Sequence, residues 1–497
     1  MQVPDTNETI LMSMPLRPGP APGPPAQGPA RRPLLRRTID AGTIALLVLS
    51  PLPAASVPAW SVLAVELAVV LLAAAYLLLE PKPRVNEKAL KALRPARYAA
   101  AGFFAYLVLQ ILPLPSGLVR VLSPATYSFR QLYDPGFAGL KFMSLSLVPG
   151  RTIEQGLELL AYVLLGFLVI RTVTHGSQVR KIIFVLTGCG VFQAVYGLSQ
   201  LPAAAPRILF YPKVFSLGSV TGTFVNRSHL SGYLEMIVPL ALGLLIARMN
   251  LFSFGVKGAR ERFQLMMSQG AAGNLALAAG VVVMSLGIVR SDSRAGLVVL
   301  VAGFFLFVGL SVLAYGRVAY RDLWVRNLIR ATVLAILVMA LAIGIGSTIQ
   351  RFALDNLLHE DRPLYWANVA DMVRAFPLFG TGLGTFAAVY PAFETRGGPE
   401  LLLAHAHNDY LEFLSELGLV GTALLLGLVL WLAVRAFLVW KERRSPEAKG
   451  LALGGIVSLA GVAIHTVTDF NLHIPANLML FTVVLGLTYV SAYLRKT

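Results

Sequence analysis

The sequence predicts an all-α protein that crosses a membrane about twelve times, and three observations carry that expectation. Of 497 residues, 56% are hydrophobic and 13% charged, whereas soluble domains are typically about 25% charged. Apolar runs near the roughly 20 residues needed to cross a bilayer recur along the whole chain. The basic residues behind a formal net charge of +17 fall in alternate gaps between those runs, as expected of cytoplasmic loops. The charge is therefore read as topology, and no nucleic-acid partner is expected.

Residues 15–33, PLRPGPAPGPPAQGPARRP, can bury little surface against ordering entropy, so 1–40 is expected to be a disordered cytoplasmic leader. It lacks the short apolar core and small-residue site of a cleavable signal peptide. Spans are expected over 41–57, 60–80, 98–113, 155–173, 182–200, 230–248, 273–289, 295–315 and 331–349. A large external loop, 350–410, follows the ninth span, and three more spans over 411–434, 450–467 and 476–494 lead into a short tail. Arg31, Arg32, Arg36 and Arg37 precede the first span; further clusters follow every second one, and Arg495 with Lys496 end the chain. Both termini are then cytoplasmic. The gaps 114–154, 201–229, 290–294, 350–410 and 468–475 face the opposite side, and the longest carries a short helical stretch at Tyr365 to Ala375. Loops this long are more often functional than passive. Cys189 is the sole cysteine, which leaves neither a disulfide framework nor a thiolate metal site.

Six of the seven histidines, His229, His359, His405, His407, His465 and His473, fall on or beside that opposite side, and His175 alone does not. In AHAHNDYLEFLSELGLVG, Ala404 to Gly421, His407 and Asn408 precede the tenth span, where free N–H groups and the helix dipole favour an anion. Glu412 and Glu416 are four apart, share a helix face and should point into the bundle. In VRSDSRAGLVVL, Arg290 and Arg294 lie on the outer side against the positive-inside tendency. Snorkelling to headgroups is one explanation; a guanidinium fork gripping a pyrophosphate is another. Arg362 and Trp366, one helical turn apart in EDRPLYWANV, suit a sugar phosphate or an interfacial anchor, and Lys213 and Arg227 add cations beside His229. No metal or other cofactor is expected, because a Mg or Mn site wants clustered carboxylates and Asp292 stands between two arginines.

Five stretches together resemble the bacterial O-antigen ligase superfamily over about residues 100–494: GTFVNRSHLSGYLEM (Gly222 to Met236), SRAG (Ser293 to Gly296), DRPLYW (Asp361 to Trp366), FPLFGTGLGTF (Phe376 to Phe386) and HAHNDYLEFLSELGLVG (His405 to Gly421). The resemblance implies a C-type glycosyltransferase-like fold in the inner membrane, with a periplasmic site acting on an undecaprenyl-pyrophosphate-linked glycan. It implies that His407 is the general base or aligns the acceptor hydroxyl, and that Arg294 and Arg362 grip the donor pyrophosphate. Asp469, in TDFNLHIPAN (Thr468 to Asn477), is implied as a partner. Arg290, Arg227, His229, Trp366, Asn408, Tyr410, Glu412 and Asp469 complete the expected substrate-contacting set. The chain departs from the family pattern in carrying Arg227 and His229 where many members have an asparagine-rich stretch, and in lacking a fused C-terminal repeat domain. The expected reaction is a single inverting displacement without nucleotide sugar or metal. The acceptor is lipid A core for a ligase, a growing glycan for a polymerase or a protein hydroxyl for an oligosaccharyltransferase. A secondary transporter is the alternative of another class, but transporters usually place polar groups at mid-membrane, whereas here they cluster at one face.

Overall fold

The computed structural model describes residues 31–79, 87–249, 260, 270–321, 362–396 and 403–494. Its helices in chain order are α1 (Arg31–Leu49), α2 (Ala59–Leu79), α3 (Glu87–Ala92), α4 (Arg94–Ile111), α5 (Ser116–Leu122), α6 (Pro124–Tyr133), α7 (Pro149–Thr172) and α8 (Gly176–Ser199). They continue with α9 (Arg227–Met249), α10 (Ala271–Arg290), α11 (Arg294–Arg321), α12 (Arg362–Ala375), α13 (Phe386–Val389), α14 (Asp409–Glu442), α15 (Pro446–His465) and α16 (Pro475–Tyr493). Two antiparallel two-residue ladders, Leu114–Pro115 with Phe142–Met143 and Arg207–Ile208 with Tyr211–Pro212, are the sheet structure among the described residues. The chain is a multi-pass, all-α membrane protein. Nine helices among the described residues, α2, α7 to α11 and α14 to α16, are long and apolar enough to cross a bilayer.

Each expected span but the ninth coincides with a helix; that one, 331–349, lies outside the described residues, as do 350–361 and 397–402 of the long loop. The first helix sits further toward the N-terminus than expected. It ends at Leu49 because Pro51 and Pro53 cannot continue it, and Ala54, Ala55 and Ser56 follow with φ of 49°, 61° and 59°.

The centre of the bundle is built from α9, α15 and α16. Gly243 meets Gly450, and a Cβ on Gly454 would stand 2.5 Å from the Pro239 carbonyl oxygen, so the two backbones approach as small residues allow in a membrane. Ser458 Oγ donates across this pair to the Met236 carbonyl at 2.7 Å. α16 is enclosed along its whole length.

The tenth span departs from the expected continuous helix. α14 breaks at Gly418, whose φ of 60° and ψ of −172° leave the helical region. The segment after α12 fills the break: Thr381 N–H donates to Ser415 O at 3.0 Å, Gly382 N–H to Glu416 O at 2.9 Å and Leu419 N–H to Pro377 O at 2.9 Å. Gly380 is required there, since its φ is 66° and a Cβ would meet the Glu416 carbonyl at 2.2 Å. From α4, Tyr106 Oη lies 2.7 Å from Phe379 O and 2.6 Å from Leu417 O, and Gln110 Nε2 donates to Phe379 O at 2.8 Å. Carbonyls released by a break inside a membrane protein need such partners, because lipid supplies none.

Candidate active site

Three helices begin with an arginine at one place. Arg227 opens α9, Arg294 opens α11 and Arg362 opens α12, and all three line one pocket of about 320 Å³ together with Ser228, Asp292, Ser293, Thr468 and Asp469. The tight turn from α10 to α11 sets this up. Ser291 Oγ donates to Ile288 O at 2.6 Å, Asp292 takes a φ of 55°, and Ser293 Oγ accepts from Gly296 N–H at 3.1 Å, capping α11. Ser293 Oγ also donates to Ser228 Oγ at 3.2 Å, and Ser219 Oγ to Asp292 Oδ2 at 3.0 Å, which joins the turn to the start of α9. Guanidinium groups and helix N-termini both favour negative charge. Across the pocket these cationic groups face two carboxylates, Asp292 and Asp469.

Asp469, in the connection between α15 and α16, lines the same pocket and is 2% exposed. Three imidazoles surround its carboxylate: His229 Nε2 is 3.6 Å and His407 Nδ1 3.5 Å from Oδ1, and His465 Nε2 is 3.8 Å from Oδ2. Burial alone would raise the Asp469 pKa, but these imidazoles hold it well below the usual carboxylate range. His465 is fixed from behind, its Nδ1 2.8 Å from Glu235 Oε2, while Ser231 Oγ donates to Glu235 Oε1 at 2.8 Å. His407 adopts a φ of 50°, a left-handed conformation that costs about 1–3 kcal/mol in a residue with a Cβ and recurs at functional sites. Its ring is part-exposed, at 29%.

Beside this cluster lies a second. Glu412 accepts from the Ala406 N–H at 2.7 Å and sits 2.7 Å from His405 Nδ1. His473 Nδ1 is 2.6 Å from Asp409 Oδ1, and its Nε2 is 3.4 Å from Glu412 Oε1. Burial pushes His473 down, but Glu412 and Asp409 more than reverse that and carry its pKa up to about 10. Phe470 stands between the clusters, stacked on His405 at 4.3 Å and edge-on to His407 at 4.8 Å and His229 at 4.5 Å. His405, Glu412 and His473 present ligand atoms within 4.8 Å of one another, a spacing that could receive a metal ion, although a carboxylate already engages each imidazole.

Arg227, Arg294, Arg362 and Asp469 thus share the pocket, and His229 and His407 reach it through Asp469. The other expected contacts are placed differently. Arg290 is outside the pocket lining, at the end of α10, where its carbonyl accepts from Val220 N–H at 2.9 Å. Asn408 caps α14, its Oδ1 accepting from Leu411 N–H at 3.0 Å. Asp409 and Glu412 also place carboxylates in the first turn of this helix, where the dipole favours negative charge. Trp366 donates through Nε1 to Ala406 O at 3.0 Å and so holds the loop bearing His407. Tyr410 donates to Ala463 O at 2.9 Å, and Lys213 to Ser219 O at 2.6 Å. Glu235 and His465 received no role from the sequence. The available signal was a carboxylate in an apolar helix, which is functional or paired by default.

Residues 279–426, which include Arg294, Arg362 and His407, match the family described as O-antigen ligase. The chain is also 24% identical over 351 residues to the exopolysaccharide production protein ExoQ of Rhizobium meliloti (strain 1021), a match covering 68% of this chain and 72% of that protein. Family match and relative agree in what this chain is similar to, the O-antigen ligase and polysaccharide polymerase superfamily.

Proposed function

We propose that the protein is a glycosyltransferase of the bacterial inner membrane, with cytoplasmic termini and a periplasmic site. It moves a glycan from undecaprenyl pyrophosphate to an acceptor hydroxyl, as an O-antigen ligase does in building lipopolysaccharide or another surface polysaccharide. One observation carries this reading: three arginines at three helix starts share a pocket with the aspartate that His407 faces. The pyrophosphate would lie among Arg227, Arg294 and Arg362, and the acceptor hydroxyl at His407.

The steps follow from charge. With Nδ1 turned toward Asp469, His407 keeps Nε2 for the acceptor's proton. The 3.5 Å contact is longer than a hydrogen bond, as catalytic contacts often are before substrate binds. As the acceptor oxygen bonds to the anomeric carbon, its proton passes to His407 and the carbon–oxygen bond to the pyrophosphate breaks. The electron pair leaves on the phosphate oxygen, where the arginines neutralise it, a role metals fill in other enzymes. Attack from the face opposite the leaving group inverts the anomeric centre.

The likeness to ExoQ, which runs over more of the chain than the ligase match, favours a second reading in which the acceptor is another carrier-linked glycan and the product an exopolysaccharide. Analysis of surface and carrier-linked glycans separates the two in cells lacking the gene, complemented with wild type or His407→Ala at matched membrane levels. Ligase activity predicts long chains stranded on the carrier and bare lipid A core; polymerase activity predicts single repeat units. Normal glycan pools in the deletion strain would overturn both.

A further inference from the structure

Between the end of α8 and the start of α9 the chain forms a short hairpin, residues 207–217, closed by the Arg207–Ile208 and Tyr211–Pro212 ladder. Its outward side chains are almost all apolar: Phe210 is 86% exposed, Phe215 65%, Val214 64%, Leu217 64% and Tyr211 42%. The lysine among them is withdrawn, Lys213 being buried with its ammonium on the Ser219 carbonyl. A patch of this kind marks a protein or membrane contact.

The backbone decides between the two. Arg207 folds over the tip, donating from Nε to Leu209 O at 3.3 Å and from its terminal nitrogen to Phe210 O at 3.0 Å. Tyr196 of α8 donates to Arg207 O at 2.9 Å and accepts from Leu209 N–H at 2.9 Å, and Gln200 accepts from Arg207 N–H at 2.9 Å. Water would satisfy these peptide groups in a solvated loop, whereas a loop at the edge of the acyl chains has to satisfy them within the protein, as the 207–213 part of the hairpin does. The patch also continues the lipid-facing side of α8, where Phe192 stacks on Tyr196 at 5.9 Å and Phe192 and Val195 are exposed.

We propose that this hairpin inserts into the leaflet next to the arginine pocket, with Phe210, Val214, Phe215 and Leu217 at the boundary of headgroups and acyl chains. Its base is fastened to the pocket's turn through Ser219 to Asp292 at 3.0 Å and Val220 N–H to Arg290 O at 2.9 Å, so the anchor sets the depth at which the pocket opens to lipid. The inference is independent of the glycan reading, since it concerns where the hairpin sits and not what is transferred.

The test uses the full chain in phospholipid vesicles with Cys189, its only cysteine, replaced by serine. An NBD fluorophore is placed on Phe215→Cys and, separately, on Phe210→Cys. The expected result at both is emission blue-shifted from the dye in buffer, loss of most intensity with lipids brominated in the upper acyl chain, and no quenching by aqueous iodide. Water-like emission with iodide quenching would overturn the proposal and make the patch a docking surface for a soluble partner. Photolabelling of the unaltered protein by lipids with an acyl-chain diazirine gives an independent reading: adducts on the 207–217 peptide are expected, and their absence while α8 is labelled would contradict the insertion.

Discussion

Two histidine clusters share Phe470 and are held in opposite ways. Around Glu412 and Asp409 the contacts are short, 2.6 and 2.7 Å, and bind His405, His473 and the backbone of Ala406 into one unit. Around Asp469 they are 3.5 to 3.8 Å, and His229 Nε2, His407 Nδ1, His465 Nε2 and Asp469 Oδ2 are buried without a hydrogen-bond partner, against His473 Nε2 in the first cluster. Buried polar atoms are rarely left so. The tight cluster spends its bonding on holding the loop from 403 to 409 against the connection between α15 and α16, at Leu472 and His473. The loose one keeps bonding capacity in reserve beside the arginine pocket. Neighbouring residues of one short motif, His405 and His407, therefore serve different ends.

That contrast can be broken one side at a time. The largest effect is expected from His407→Ala, which should lower transfer about 10²- to 10⁴-fold, the usual contribution of a general base, while the detergent melting temperature stays at the wild-type value. Arg294→Ala should lower turnover about 10²- to 10³-fold, as removal of one charge-stabilising donor does elsewhere, with Arg294→Lys recovering part of it; carrier-lipid release kinetics read both. On the tight side, Glu412→Ala should act on stability first. Removing one partner of a buried pair costs about 3–5 kcal/mol, so a marked fall in melting temperature is expected.

A gentler probe of the same side is pH. The pKa of His473 is raised to about 10, above the ordinary imidazole value of about 6.5. Its stabilisation is complete below that lower value and is lost progressively as pH climbs through the upper one. Melting temperature should decline across this window in the wild type, and the decline should flatten in His473→Gln. The smallest expected effect is Tyr410→Phe, which deletes one hydrogen bond to Ala463 for about 1 kcal/mol and should leave transfer intact, since the hydroxyl bonds a backbone carbonyl of α15.

Much of this organisation was legible in the sequence because a bilayer imposes strict rules. Span positions follow from apolar length, and arginines on the side expected to be external drew attention to Arg294 for a physical reason. The break at Gly418 was hidden because LSELGLVG reads as one helical stretch; its backbone groups are taken by residues distant in sequence, the carbonyls of Pro377 and Leu378 and the N–H groups of Thr381 and Gly382. The division of labour within AHAHND was hidden too. Composition there promised a polar site, but whether Asn408 binds substrate or caps α14 depends on backbone direction. Glu235 and His465 are 230 residues apart, and nothing local pairs them.

The most direct test of the central claim is release of undecaprenyl pyrophosphate by the purified protein in vesicles, given a carrier-linked glycan, an acceptor glycan and a metal chelator. The account predicts release that requires the acceptor, persists with the chelator and disappears in Arg362→Ala. Release that needs added metal, or that proceeds equally well in Arg362→Ala, would contradict it.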